Sequence, residues 1–284
     1  MFRNKVVCPS CNNKFDALED KCPNCHNENE SLKEMKLSKY SLNLPLVFQV
    51  VFFLFGWLGL QFIAGAIEIV FLLFNGPDLN AILEANNLAI IQFSAYGALS
   101  IGFTLLIVFS KSVKKFINPF KNYKTYYFGF LSVLLLLGLS NGYGGLISDL
   151  NVGESGNQSL IIEITKGYPV LSIIFLCFLG PICEELTYRV GLFTFLRRKS
   201  KVLAYLVTIF VFAVIHFDIT QVTSIMETGD VSGLINELLN FPSYLIGAFV
   251  LTITYDRYGF GASSIAHILN NLFGIIIIIV QNAH

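Results

Sequence analysis

The chain has 284 residues, no net formal charge, 54% hydrophobic residues and only 13% charged ones. A mean hydropathy of +0.65 excludes an ordinary soluble globule and places the chain among polytopic membrane proteins. The lack of a basic excess excludes a nucleic-acid partner.

The first 44 residues are polar and carry four of the six cysteines. Cys8-Pro9-Ser10-Cys11 and Cys22-Pro23-Asn24-Cys25 are two C-x2-C turns separated by ten residues. Each can place two thiolates on one side of a tetrahedral ion, and two such knuckles close a four-sulfur site. The pattern predicts a zinc ribbon over residues 1–30, with Cys8, Cys11, Cys22 and Cys25 holding a structural zinc. So small a unit has little core, so the metal would supply its stability. His26 follows Cys25 directly, but four sulfurs already fill the shell. Thiolates reserved for metal belong in a reducing compartment, which puts this end in the cytoplasm. A polar linker follows over 31–44, with Lys33, Lys36 and Lys39 flanking the membrane.

The remainder, 45–284, reads as a transmembrane domain inserted through uncleaved spans, since no secretory signal precedes the ribbon. Its apolar runs predict seven spans: Leu46 to Phe74, Leu88 to Phe109, Tyr126 to Ile147, Pro169 to Phe195, Val202 to His216, Leu234 to Tyr255 and Gly261 to Val280. The fifth is short for a span, and a dip of Leu234 to Phe241 into the bilayer would make eight. The expected fold class is an all-α polytopic membrane protein of seven to eight transmembrane helices behind a small zinc ribbon. Threading these spans from a cytoplasmic N-terminus puts 17 of the 19 lysines and arginines inside, leaving only Lys166 outside and Arg189 within a span. That is the positive-inside pattern, and the expected location is a bacterial cell membrane.

Inside the fourth span lies Glu184-Glu185-Leu186-Thr187-Tyr188-Arg189. Charges at that depth cost several kcal/mol, so something must compensate them. Glu185 and Arg189 are four apart and share a helical face, which suits an ion pair. Glu184 points about 100° away; a buried carboxylate without its own cation suits proton transfer. A plain structural ion cluster would account for the pair alone, but later spans add polar groups. The fifth ends Phe212-Ala213-Val214-Ile215-His216 and the last holds His267-Ile268-Leu269-Asn270-Asn271. Counted from the inner boundary at 1.5 Å per residue, Glu184 and His216 lie at ~20 and ~22 Å, and His267 and Asn271 at ~15 and ~21 Å, so all can meet at one level.

Glu184-Glu185-x-x-x-Arg189, Phe212-x-x-x-His216 and His267-x-x-x-Asn271, in that order, resemble the three motifs of the CPBP family of intramembrane endopeptidases. The family is named for CAAX-processing and bacteriocin-processing proteases and is also called the ABI family. The likeness covers roughly Pro169 to Phe273, within a protease core expected at 169–280, and leaves the ribbon outside it. One departure is visible: the family's arginine is usually followed directly by glycine, whereas Val190 here precedes Gly191.

The resemblance implies that Glu184 and His216 activate a water to attack a peptide carbonyl, that His267 and Asn271 stabilise the oxyanion, and that Glu185 with Arg189 is the supporting pair. The partners implied are membrane lipid and a membrane-associated or lipidated protein or peptide substrate, with a soluble partner for the ribbon. Two histidines and a glutamate from separate helices suit a zinc with an open position. The H-E-x-x-H arrangement is missing, and the family has been described both ways, so the metal-free glutamate mechanism is preferred. A transporter using the same buried charges and an inert scaffold or immunity protein are the alternatives.

Overall fold

The computed structural model describes residues 5–16, 19, 21–29, 42, 44–76, 85–223 and 229–282. The expected linker lysines Lys33, Lys36 and Lys39 lie outside the described residues. Two strands, β1 (Lys5–Val7) and β2 (Lys14–Asp16), pair antiparallel with Val6 opposite Phe15. The longer helices that follow are α1 (Leu46–Asn75), α2 (Ala85–Phe109), α3 (Tyr123–Ile147), α4 (Gly156–Gly167), α5 (Pro169–Arg197), α6 (Lys201–Val214), α7 (Ser232–Tyr258) and α8 (Phe260–Asn282).

Among the described residues six helices are long and apolar enough to cross a membrane, rather than the seven to eight expected. They mark the chain as an integral membrane protein. The difference lies in two segments. The run expected as a fifth span is α6, whose 14 residues reach only ~21 Å at 1.5 Å each, short of the ~30 Å hydrocarbon core. Its end tightens into a turn, with His216 N–H bonded to Ala213 O and Phe217 N–H to Val214 O. Leu234 to Phe241, considered as a separate dip, is simply the first part of α7, which runs on through Pro242.

Local signals explain where the helices begin and turn. Asn122, Ser155 and Ser200 each accept a first-turn N–H at the starts of α3, α4 and α6, as helix N-caps do. Pro169 opens α5, where its missing N–H costs nothing. A single residue, Gly259 at φ +85°, joins α7 to α8. Only glycine adopts that backbone without strain.

Polar ties define two ends of the bundle. At the near end, beside the ribbon, Asp256 of α7 pairs with Arg197 at 3.4 Å and Lys201 at 3.2 Å and accepts from Tyr205 Oη at 3.0 Å. Arg198 donates to Gln49 Oε1 and Leu44 O, both at 3.0 Å, and lies 4.0 Å from Asp16 on β2. Phe52, Phe116 and Phe260 stack into the core here. At the far end, buried Glu237 of α7 accepts from Gly156 N–H and, at 3.1 Å, from Asp218 N–H. Tyr244 Oη meets Ser155 Oγ at 2.8 Å, and Tyr143 Oη donates to Leu239 O at 2.7 Å.

The α5 helix is not uniformly α-helical. Two stretches, Ile173–Leu179 and Glu185–Phe193, take the wider π form, in which hydrogen bonds skip to the fifth residue. Thr194 closes the second by donating from Oγ1 to Arg189 O at 2.8 Å. Small residues let α1 cross this stretch closely. A Cβ on Gly56 would lie 1.8 Å from Thr187 Oγ1, and one on Gly191 would lie 2.7 Å from the backbone nitrogen of Phe53.

Candidate active site and metal cluster

The four cysteines gather as their spacing predicts. All four Sγ atoms lie within 4.8 Å of one another, with Cys8 to Cys25 at 3.4 Å and Cys11 to Cys22 at 3.5 Å. Sulfurs bound tetrahedrally at ~2.3 Å sit ~3.8 Å apart, inside this range, so the cluster fits a metal ion. Each knuckle closes on a left-handed residue directly after its second cysteine, Asn12 at φ +54° and His26 at φ +59°, residue types that tolerate this backbone. That gives His26 a place in the turn rather than among the ligands. Burial of the Cys22 thiol works against ionisation, but the N–H groups of Cys25 and Asn24 bring it down to about 6, favouring the metal-binding thiolate.

In the bundle, α5, α6 and α8 bring the three motifs together. Glu185 and Arg189 are wholly buried, with Oε1 3.2 Å from Nη1. The arginine's Cζ lies 4.2 Å from the centre of the Phe212 ring. The ring thus covers the cation with its negative face, which gives the first residue of the second motif a structural role. Tyr188 packs edge-on against the same ring at 5.4 Å. Thr187 donates back to Cys183 O at 2.7 Å.

His267 sits between the two carboxylates. Its Nδ1 is 3.1 Å from Glu185 Oε1, and its Nε2 is 3.6 Å from Glu184 Oε2. A carboxylate only accepts, so the Glu185 contact places a proton on Nδ1 and turns Nε2 toward Glu184. His216 Nδ1 lies 2.8 Å from Phe212 O. A carbonyl likewise only accepts, so in the neutral ring Nε2 is the free base. Asn271 donates to Leu176 O at 2.9 Å, leaving one N–H for other use. The depths counted along separate helices therefore do converge for Glu184 and His267.

Glu184, His216, His267 and Asn271 all line one cavity of about 350 Å³. Glu184 Oε2 is buried with no hydrogen bond among the described residues, its nearest basic neighbour being His267 Nε2 at 3.6 Å. Its other oxygen accepts from Tyr96 Oη at 3.4 Å. Tyr96 on α2 and Tyr244 on α7, which stacks on His216 with ring centres 5.0 Å apart, are site residues that motif spacing does not find. Both come from helices without any of the three motifs. Among the described residues, the cysteine cluster is the one group of metal-ligating side chains gathered to ligand distance.

Residues 166–273 match the family described as type II CAAX prenyl endopeptidase Rce1-like. The chain is similar to an uncharacterized protein of Mycoplasma capricolum, 32% identical over 139 residues, which covers 46% of this chain and 36% of that one. It also resembles the UPF0177 protein YvdC of Lactococcus lactis, 28% identical over 127 residues, covering 44% of this chain and 42% of that one. The alignments thus span well under half of either relative. No solved structure matches the chain.

Proposed function

We propose that this chain, whose residues 166–273 form an Rce1-like CAAX prenyl endopeptidase family domain, is an intramembrane peptidase acting on membrane-associated or lipidated protein substrates. The observation that carries the reading is Glu184, whose buried Oε2 makes no hydrogen bond among the described residues and faces His267 Nε2 at 3.6 Å, on the wall of a cavity shared with His216, His267 and Asn271. Water admitted there gives a proton to Glu184 or to the free Nε2 of His216 as its oxygen bonds to the peptide carbon. Asn271 offers a donor to the oxygen that becomes negative, in a site poor in water where such bonds act strongly, and His267 adds one when its Nε2 carries a proton. The C–N bond then breaks and the stored proton passes to the leaving nitrogen. Glu185 and Arg189 hold His267 and the helix in place. The four cysteines bind a structural zinc, the N-terminus faces the cytoplasm, and the membrane is that of a bacterial cell.

The test is cleavage of a membrane-peptide library by purified protein in lipid, wild type against Glu184→Gln. A fall of about a hundredfold or more is expected, with the variant still inserted and as stable to heat as wild type. Equal activity in the two proteins would sink the proposal.

A further inference from the structure

The two histidines of the site are held in different ways. His267 is buried in the middle of α8, with Glu185 at its Nδ1. His216 is half-buried and lies two residues beyond the end of α6, where its Nδ1 bonds the carbonyl of Phe212, one turn back in its own segment. Helix ends fray, and one hydrogen bond is a weak hold on an imidazole. A half-turn about Cβ–Cγ exchanges Nε2 with Cε1 and takes the free base out of its place.

Two aromatic rings restrain that turn. Phe212 has its centre 4.8 Å from that of the imidazole and is itself fixed against Arg189. Tyr244 lies 5.0 Å away with its plane only 22° from that of the imidazole. To rotate, the imidazole would have to drive its edge into that flat face, which close packing resists. Tyr244 is pinned in turn at its hydroxyl, which meets Ser155 Oγ at 2.8 Å and accepts from Asn157 Nδ2 at 3.3 Å. Both residues belong to the start of α4, where Ser155 also caps the helix by accepting from Gln158 N–H. The same turn is tied to the segment that follows His216. Glu237 accepts from Gly156 N–H through one oxygen and from Asp218 N–H through the other. A Cβ on Gly156 would come 2.5 Å from Asp218 Oδ2, so turn and segment touch. The start of α4, which holds none of the three motifs, therefore reaches His216 by two routes.

Resting on the peptidase reading, we infer that Tyr244 is the positioning residue of His216 and that the first turn of α4 is its anchor. The flat ring keeps Nε2 of His216 turned to the cavity, and the hydrogen bonds at Oη keep the ring where it is. Tyr244 acts through His216 and touches no reacting atom.

The experiment compares full-length wild type, Tyr244→Phe, Tyr244→Leu and Ser155→Gly in lipid, by cleavage of the membrane-peptide library and by nitrogen NMR of labelled histidine. The His216 signal is assigned by its loss in His216→Gln. At about pH 8, where an ordinary imidazole is neutral, wild type and Tyr244→Phe are expected to show one His216 tautomer, protonated at Nδ1. Tyr244→Leu, without the flat ring, should show both. Its kcat is expected to fall about a hundredfold with KM within about threefold, the usual cost of a misplaced catalytic group. Tyr244→Phe keeps the ring and should lose about fivefold. Ser155→Gly retains an acceptable helix cap and should lose no more than Tyr244→Phe, with the double variant no slower than Tyr244→Phe alone. A single unchanged tautomer in Tyr244→Leu, a loss confined to KM, or Tyr244→Phe as slow as Tyr244→Leu overturns the inference. Additive losses in Tyr244→Phe and Ser155→Gly overturn it too, a comparison that stands even if Tyr244→Leu fails to fold. The expected tautomers with no peptide cut by wild type overturn the peptidase reading and leave the positioning of His216 standing.

Discussion

Arg189 is the side chain whose loss should tell most about how the site is held. It is wholly buried, 3.2 Å from Glu185 and under the Phe212 ring. Arg189→Met leaves Glu185 as an uncompensated buried charge, at a cost of about 3–5 kcal/mol. The expected result is a large drop in thermal stability in detergent, and Glu185→Gln on the same chain should restore part of it. Additive losses would mean the two residues act separately. Tyr96→Phe removes only the hydroxyl that meets Glu184 Oε1. Cleavage is expected to slow about tenfold in kcat with KM little changed, the worth of one hydrogen bond to a charged group. A change confined to KM would instead place Tyr96 in substrate binding. The carboxylates, histidines and Asn271 were legible because each is a polar exception inside an apolar run. Tyr96 and Tyr244 were not, because tyrosines abound in such runs and only the packing of α2 and α7 shows which ones face the site.

Helix by helix, the limits of sequence reading have the same cause. Apolar length marks a span well, so six long helices stand where they were expected. It cannot tell a short helix that still connects the two ends, such as α6, from one that crosses fully. Nor does it show the π stretches of α5, the second of which packs on α1 and ends where Thr194 bonds Arg189 O. Val190 there is buried with 0% exposure, and Gly191, one position beyond the family's usual glycine, takes the close approach to Phe53. Gly191→Ala should cost about 1–3 kcal/mol by overpacking, read as a lower melting temperature, whereas Gly138→Ala, with nothing within 4 Å of the added carbon, should not. Equal melting of the two variants would remove α1 packing as the reason for the glycine.

Across the whole molecule, the cysteine cluster and the cavity lie toward opposite ends of the bundle, and Arg198 meets Asp16 of the ribbon at 4.0 Å. Metal should therefore matter to the ribbon and not to the chemistry. Purified protein is expected to hold one zinc per chain and to lose it on Cys8→Ser, with cleavage in lipid kept to within about twofold, a half-buried ion pair as long as 4.0 Å adding little coupling between the two ends. Activity abolished along with the zinc would show that the two ends are coupled.

The place of His267 on α8 bears on how the chain is made. The ribosome delivers α5 to the membrane with Glu184, Glu185 and Arg189 before α6, α7 and α8 exist to surround them. Until α8 docks, Glu185 lacks the imidazole at 3.1 Å and the cavity lacks a wall. On the peptidase reading, a nascent chain therefore carries its acids through translation with the site still unassembled, and becomes competent only when its last described helix has settled.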